Sequence, residues 1–180
     1  MGIESIPPLL IREEQRSYET GVFILPLPST WQYSGQVLLQ TPVRNYTVGD
    51  YPQFFDDINF SEGLDMMENI LDYVNLTSPG VRTVCVFTLG IETPAKLVYK
   101  VRSVSQAECH SHHPLQETFP DVQPERLLGE GDGTVTKYSL EACQHFLNQN
   151  DTVKTFQNIN HADVLKNTQV LDFIKSMIVE

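Results

Sequence analysis

Two side chains in the last third of the sequence could work together as an acid–base pair. Asp132 lies in a Gly-Asp-Gly loop that opens a predicted helix, and His161 lies two residues beyond a strand predicted over Val153–Ile159. An aspartate that hydrogen-bonds an imidazole fixes its tautomer, and the imidazole can then take a proton from a serine and return it to a leaving group. One interpretation of these residue types is therefore serine-dependent acyl transfer.

Both residues also have ordinary structural interpretations. Gly-Asp-Gly is a common turn in which the aspartate bonds its own backbone, and a histidine after a strand is often only a polar loop residue. The order of the two residues favours the chemical interpretation, because Asp before His, each beyond a strand, is the second half of the Ser…Asp…His order of α/β-hydrolases. The residues alone leave both interpretations open.

The elements that would position these residues alternate between strands and helices. Val81–Leu89 is rich in β-branched residues and nearly continuous in hydrophobicity, which is typical of a buried strand in a parallel sheet. Apolar residues recur at helical spacing over 62–74 and 168–179. The pattern predicts an α/β fold, in which reactive groups lie beyond the carboxyl ends of parallel strands.

Shorter elements and one long loop complete the prediction. Residues 11–20 are polar and compatible with a helix. We expect a helix over 139–147 and short strands over 37–41 and 96–101. Ser61 is a candidate N-cap for the helix over 62–74. The polar stretch 103–127, with scattered proline and histidine, predicts a long loop within the domain.

Length, charge and hydropathy limit the number of domains and the partners that the chain can bind. A chain of 180 residues is enough for one domain. The net charge of −11 disfavours binding to nucleic acid. It also disfavours anionic membrane surfaces, unless the pH is low enough to protonate carboxylates and the five histidines. No apolar run approaches the roughly 20 residues that span a bilayer. The first ten residues lack the basic start and the cleavage site of a signal peptide, so we expect no export signal in the chain as written.

Three cysteines allow two interpretations. Cys85, Cys109 and Cys143 have no CxxC spacing, which disfavours structural zinc and thioredoxin chemistry. They could be free thiols in a reducing compartment, or one disulfide with one thiol left over. Asn-x-Ser/Thr sequons favour the second interpretation and glycosylation in the secretory pathway. The candidate acceptors are Asn45, Asn59, Asn75 and Asn150.

Two further groups have weaker chemical interpretations. Cys109, His110, His112 and His113 are metal-ligand types, but adjacent histidines in a polar loop cannot easily converge on one ion. We therefore expect no metal site. The aromatic side chains of Trp31 and Tyr33 could contact lipid or pack in a surface loop, and the sequence leaves this open. Asp56, Asp57 and Asp65 are interpreted as solvated helix charges.

A series of short matches along nearly the whole chain resembles the lecithin–cholesterol acyltransferase family, and within it the lysosomal phospholipase A2 branch. The similar segments occur in the family's order. They include Ile11–Ser17 (IREEQRS), Gln40-Thr41-Pro42, Phe54-Phe55, Pro79-Gly80-Val81, Thr93-Pro94, Gly131–Val135 (GDGTV) and His161 with the final helix.

The resemblance implies the C-terminal half of an α/β-hydrolase fold, with a mostly parallel sheet flanked by helices. It implies that Asp132 is the catalytic acid, that His161 is the base, and that Cys85 and Cys143 form a disulfide. No metal or organic cofactor is implied. The expected partners are a phospholipid acyl donor, a water or alcohol acceptor, and a membrane or lipoprotein surface reached by elements outside this chain. The expected location is lysosomal or secreted.

The chain departs from the family at the nucleophile. No Gly-x-Ser-x-Gly elbow is present, and Ser61 and Ser78 have glycine two residues after them but not two residues before. The oxyanion hole would also lie upstream. One interpretation is the C-terminal part of an active phospholipase or acyltransferase. The other is a truncated, non-catalytic isoform or pseudoenzyme that binds lipid or a partner. Because half a sheet exposes an edge, we expect the isolated chain to aggregate.

Overall fold

The computed structural model describes residues 11–31, 35–74, 76–100 and 123–178. These residues form a mixed α/β arrangement of two sheets and surrounding helices. Some of the residues discussed above lie outside the described residues, and their predictions stay predictions. They are Tyr33, Asn75, Cys109, His110, His112, His113 and most of the expected loop over 103–127.

The first half of the described chain is mainly helical. Its helices are α1 (Arg12–Arg16), α2 (Glu19–Phe23), α3 (Pro28–Trp31), α4 (Tyr51–Asp57) and α5 (Ser61–Tyr73), with a 3-10 turn at Val48–Asp50 before α4. They enclose an apolar core built from both helices and turns. Its buried members are Val22, Trp31, Val48, Tyr51, Phe55 and Met67.

The helix-compatible stretch 11–20 forms α1 and the start of α2, with a break between them. The Ser17 hydroxyl donates to the Glu14 carbonyl oxygen at 2.7 Å and so ends the first helix. Tyr18 then takes an extended conformation (φ −94°, ψ 115°) before α2 begins. A serine that bonds the backbone in this way competes with helix continuation.

Helix α5 agrees with the helix predicted over 62–74 to within one residue at each end. Its capping was predicted wrongly. Phe60 occupies the N-cap position without a side-chain hydrogen bond, and Ser61 is the first residue of the helix. The Ser61 hydroxyl lies beside the Glu62 carboxylate instead. Packing of the apolar face therefore stabilises the helix without a side-chain cap.

The strands form a four-stranded sheet in the order β2-β1-β4-β5 and a separate parallel pair, β3-β6. Their bounds are β1 (Leu39–Gln40), β2 (Asn45–Tyr46), β3 (Val84–Leu89), β4 (Ile91–Val98), β5 (Glu125–Gly131) and β6 (Thr152–Gln157).

The expectation of a mostly parallel sheet is wrong for the four-stranded sheet. Only β1 and β4 pair in parallel there, while β1 with β2 and β4 with β5 are antiparallel. The physical reason is exposure. Most residues of β5 are exposed, and an antiparallel sheet can leave one face to water whereas parallel strands are covered on both faces.

The loop and strand boundaries near this sheet also differ from the prediction. Residues 125–127, expected in the long loop, belong to β5. The strand predicted over 96–101 begins earlier, at Ile91. Gly90 separates β3 from β4, with φ +92° and the Asn158 side chain so close that a Cβ at Gly90 would clash with it. The strand predicted over Val81–Leu89 ends immediately before this glycine.

The parallel pair β3-β6 has helices on both faces. Its register runs from Val84↔Thr152 to Leu89↔Gln157. On one face, Cys85, Phe87 and Leu89 pack against a helical segment made of α6 (Lys137–Leu140) and a 3-10 turn (Glu141–Phe146). The other face packs against α7 (Thr168–Ile178), with Phe156 and Val170 buried between them.

A disulfide ties β3 to this helical segment. Cys85 and Cys143, the pair that the resemblance implies, are bonded with their Cα atoms 6.2 Å apart. The helix predicted over 139–147 is a short α-helix, α6, that is continued by the 3-10 turn (Glu141–Phe146). None of the helices in the described ranges is both long and apolar enough to cross a bilayer.

Candidate active site

Asp132 directly follows the last residue of β5 and is buried, with 2% of its surface exposed. Its backbone is bonded on both sides. The Asp132 N–H donates to the Val135 carbonyl oxygen at 3.2 Å, and the Asp132 carbonyl oxygen accepts the His161 N–H at 2.9 Å. The carboxylate is thus fixed by a short turn and by the segment after β6.

The two carboxylate oxygens of Asp132 have different partners. Oδ1 accepts the backbone N–H groups of Thr134 at 3.0 Å and Val135 at 2.7 Å. Oδ2 lies 2.8 Å from Nδ1 of His161. Because Oδ1 is held by the backbone, Oδ2 is left in position for the imidazole.

The pKa of Asp132 reflects opposing effects. Burial alone would raise the pKa of this carboxyl. The hydrogen bonds from Val135, His161 and Thr134 outweigh burial, so the pKa lies below its ordinary value. Hydrogen bonds to the charged form are a general cause of such lowering. Asp132 is therefore a carboxylate at neutral pH, which the orienting role of a catalytic aspartate requires.

Both glycines beside Asp132 are needed for its position. Gly133 has φ +93°, a conformation that residues with a Cβ rarely adopt, and a Cβ there would lie 3.0 Å from Nδ2 of Asn160. A Cβ at Gly131 would meet the Val135 carbonyl oxygen and the side chain of Thr93. The Gly-Asp-Gly sequence thus allows close approach of the backbone on both sides of the acid.

His161 begins a 3-10 turn (His161–Lys166) that follows β6, and Asn160 caps this turn by accepting the Ala162 N–H. Half of the His161 side chain is exposed. Since the Asp132 carboxylate can only accept, it selects the tautomer with a proton on Nδ1. Nε2 then carries the lone pair, as a general base requires.

The structure brings Asp132 and His161 together across 29 residues of sequence. The two serines that were rejected as nucleophiles, Ser61 and Ser78, belong to a helix start and a turn. Ser61 starts α5, and Ser78 accepts the Gly80 N–H within a turn and also bonds Asn148. Ser78 is therefore a turn residue.

Contacts in the structure decide between the interpretations of Trp31 and of Asp57. Trp31 has only 2% of its surface exposed, and its Nε1 donates to the Ser139 hydroxyl at 3.1 Å, so it packs inside the protein. Asp57 was expected to be a solvated charge, which is wrong. It accepts the Tyr46 hydroxyl at 2.6 Å and the Gln53 side chain at 2.8 Å.

Three of the candidate glycan acceptors lie on the surface. Asn45, Asn59 and Asn150 are all exposed, and Asn59 has φ +51°. Exposure is compatible with an attached glycan.

Within the described parts of the chain, no group of three or more His, Cys, Asp or Glu side chains is placed to hold a metal ion.

An apolar cavity of about 590 Å³ lies beside the acid loop, which we define as residues Gly131–Val135. Thr134 and Val135 contribute to its wall, and most of the remaining wall is apolar. Members of the wall from other elements include Leu25, Trp31, Leu38, Tyr51, Phe54 and Leu97. This cavity could not be predicted from the sequence, because the residues of its wall come from helices and strands far apart in the chain.

Residues 73–177 match the sequence model of the lecithin:cholesterol acyltransferase family. The lysosomal phospholipase A and acyltransferase of Mus musculus is 33% identical over 182 residues, covering 99% of this chain and 40% of the mouse protein. The phosphatidylcholine-sterol acyltransferase of Gallus gallus is 31% identical over 169 residues, covering 91% of this chain and 37% of the chicken protein.

A plant relative gives a similar result. Lecithin-cholesterol acyltransferase-like 1 of Arabidopsis thaliana is 31% identical over 180 residues, covering 99% of this chain and 37% of the plant protein. The chain therefore spans about two fifths of the length of these relatives.

Proposed function

Because the chain belongs to the lecithin:cholesterol acyltransferase family, we propose that it supplies the acid and base of an enzyme that moves acyl groups between lipids. The substrate is a phospholipid ester, and the acceptor is water or an alcohol. The observation that carries this proposal is the 2.8 Å contact between Nδ1 of His161 and the buried carboxylate of Asp132.

The nucleophile in this proposal is a serine outside the 180 residues. Nε2 of His161 takes the serine proton while the serine oxygen attacks the ester carbonyl carbon. The tetrahedral intermediate collapses, the lysophospholipid oxygen leaves with the proton from His161, and an acyl-enzyme remains. A water or alcohol then gives its proton to His161, attacks the acyl carbonyl, and the serine regains its proton as it leaves.

Asp132 supports both steps through its charge. The ionised carboxylate keeps the Nδ1 proton in place and stabilises the imidazolium that forms when Nε2 is protonated. Its lowered pKa favours this state. No step calls for a metal or an organic cofactor.

We also propose the finer fold and the cellular location. The parallel pair β3-β6, covered by helices on both faces, and an acid and base that each follow a strand support the C-terminal part of an α/β-hydrolase fold. The disulfide Cys85–Cys143 supports folding in the oxidising lumen of the endoplasmic reticulum, on the route to the lysosome or the extracellular space. Glycans at the exposed sequons would fit the same route.

The test uses the protein made from its complete gene, with phosphatidylcholine vesicles and an added lipid alcohol. We expect fatty acid release or ester formation by the natural protein and its loss in His161→Ala. His145→Ala is the matched control, because His145 is an exposed histidine on another 3-10 turn (Glu141–Phe146), which precedes β6 in the chain. Lipid binding without turnover by the natural protein would contradict the proposal and favour a non-catalytic binding role.

A further inference from the structure

Thr93 is fully buried in β4, with 0% of its surface exposed, and it touches the acid loop. Its hydroxyl group accepts the Gly133 N–H at 2.8 Å and donates its own proton to the Ile91 carbonyl oxygen at 3.0 Å. A threonine hydroxyl has one proton to donate and lone pairs to accept. Thr93 therefore uses its hydroxyl both to bond the acid loop and to bond its own strand.

We propose that Thr93 is a positioning residue that holds the acid loop so that the Asp132 carboxylate meets His161. This inference rests on the proposed function, because it assigns Thr93 to the same reaction. Thr93 acts through Asp132 and does not itself contact the imidazole or the substrate.

The peptide group between Asp132 and Gly133 is the unit that Thr93 fixes. Its N–H is bound by the Thr93 hydroxyl, and its carbonyl oxygen accepts the His161 N–H at 2.9 Å. A peptide group is planar, so bonds at its two ends fix the orientation of the whole plane. The side chain of Asp132 leaves the chain next to this plane, and its direction depends on that orientation.

The packing around Thr93 leaves the acid loop little freedom. Thr93 pairs with Gly129 of β5 across the antiparallel ladder. A Cβ at Gly131 would clash with the Thr93 side chain, so the glycine lets the loop approach it closely. Loss of the Thr93 hydroxyl would release the Gly133 N–H while leaving this packing almost unchanged.

Two substitutions separate the hydroxyl of Thr93 from its shape. Thr93→Val keeps the branched shape and removes the hydroxyl, whereas Thr93→Ser keeps the hydroxyl and removes a methyl group. If the hydroxyl positions Asp132, the serine variant retains function and the valine variant does not. If Thr93 only fills space, the order is reversed.

Thr41 provides a matched control for the loss of a buried threonine hydroxyl. It is 5% exposed, and its hydroxyl donates to the Arg44 carbonyl oxygen at 3.0 Å and accepts the Arg44 N–H at 3.1 Å. Thr41→Val thus removes the same pair of hydrogen bonds, one accepted and one donated, from the turn between β1 and β2. A general loss of stability would affect both valine variants alike.

The first readout is the kinetics of lipid hydrolysis by the protein made from its complete gene. We expect Thr93→Val to lower kcat by about 10- to 100-fold, the scale of a small misplacement of a catalytic group. KM should stay unchanged, because Thr93 does not contact the substrate. Thr93→Ser and Thr41→Val should keep most of the natural kcat. An unchanged kcat in Thr93→Val, or an equal loss in Thr41→Val, would overturn the proposal.

The second readout does not depend on turnover. The Nδ1 proton of His161, shared with Asp132, gives a downfield proton NMR signal while it is protected from exchange. We expect this signal to be lost in Thr93→Val and kept in Thr93→Ser and Thr41→Val. A signal that survives in Thr93→Val would overturn the positioning role even in an inactive protein. Activity that survives in His161→Ala would instead overturn the proposed function, and the NMR signal would still decide the role of Thr93.

Discussion

Asp132 and His161 are joined by two hydrogen bonds, one between their side chains and one between their backbones. Oδ2 of Asp132 lies 2.8 Å from Nδ1 of His161, and the His161 N–H donates to the Asp132 carbonyl oxygen at 2.9 Å. The backbone bond does not depend on the side chains. Substitution of either side chain should therefore change the chemistry of the site more than its fold.

Asp132→Asn should leave a folded but nearly inactive protein. The amide oxygen can still accept the Thr134 and Val135 N–H groups, so its NH₂ group faces His161. Nδ1 must then accept, which moves the ring proton to Nε2 and removes the base. We expect kcat to fall by about 10⁴-fold, as for the same change in a serine protease.

The control for this prediction is Asp163→Asn. Asp163 lies in the same 3-10 turn as His161 and is largely exposed, with Lys166 as its ion-pair partner. Its substitution should leave kcat unchanged. Equal activity of the Asp132→Asn and natural proteins, at equal melting temperature, would show that Asp132 does not orient the base.

The lowered pKa of Asp132 predicts a dependence of stability on pH. A carboxyl whose pKa is lower in the folded than in the unfolded chain stabilises the fold above the unfolded value, which is about 3.9 for aspartate. That contribution is lost as the pH falls through the folded pKa. Lowering the pH from about 5 to about 3 should therefore reduce the free energy of unfolding less in Asp132→Asn than in the natural protein. Denaturant titrations at both pH values measure this, and equal losses would contradict it.

The disulfide between Cys85 and Cys143 should contribute strongly to stability. It closes a loop with a sequence separation of 58 residues, and in the chain-entropy account such a link adds about 4 kcal/mol. The double substitution Cys85→Ala with Cys143→Ala should lower the free energy of unfolding by about this amount. Cys109→Ser is the control. A double variant as stable as the natural protein under oxidising conditions would be inconsistent with a structural disulfide.

Thr88 offers a contrast with Thr93. Its hydroxyl is buried in β3 with 1% of its surface exposed, and it has no hydrogen-bond partner among the described residues. A buried polar group without a partner is destabilising. Thr88→Val should therefore leave the free energy of unfolding unchanged or raise it by about 1 kcal/mol. A decrease of similar size would indicate a partner for this hydroxyl.

Local patterns predicted some elements well. The spacing of Leu64 and Met67 located α5 to within one residue at each end, and the run of β-branched residues located β3. Strand β5 was missed, because its two adjacent leucines, Leu127 and Leu128, show no alternation and are both partly exposed. It is a strand because it pairs with β4, and pairing of distant segments leaves no local pattern.

The candidate site could be predicted from the sequence only in part. The types and order of Asp132 and His161 suggested their chemistry, but the sequence could not give their contact or the division of roles between the two carboxylate oxygens. Thr93 was noticed only within a family match, because an isolated threonine has no distinctive spacing. Its importance comes from a hydrogen bond to Gly133, which is 40 residues away in sequence.

The most direct test of the Asp132–His161 assignment is covalent labelling with an alkyl fluorophosphonate, which reacts with serines activated by a neighbouring base. The protein made from its complete gene would be labelled, digested and mapped by mass spectrometry, beside the His161→Ala and His145→Ala variants. We predict one labelled serine outside the 180 residues, with labelling lost only in His161→Ala. Labelling that is absent from the natural protein, or that persists unchanged in His161→Ala, would contradict the assignment.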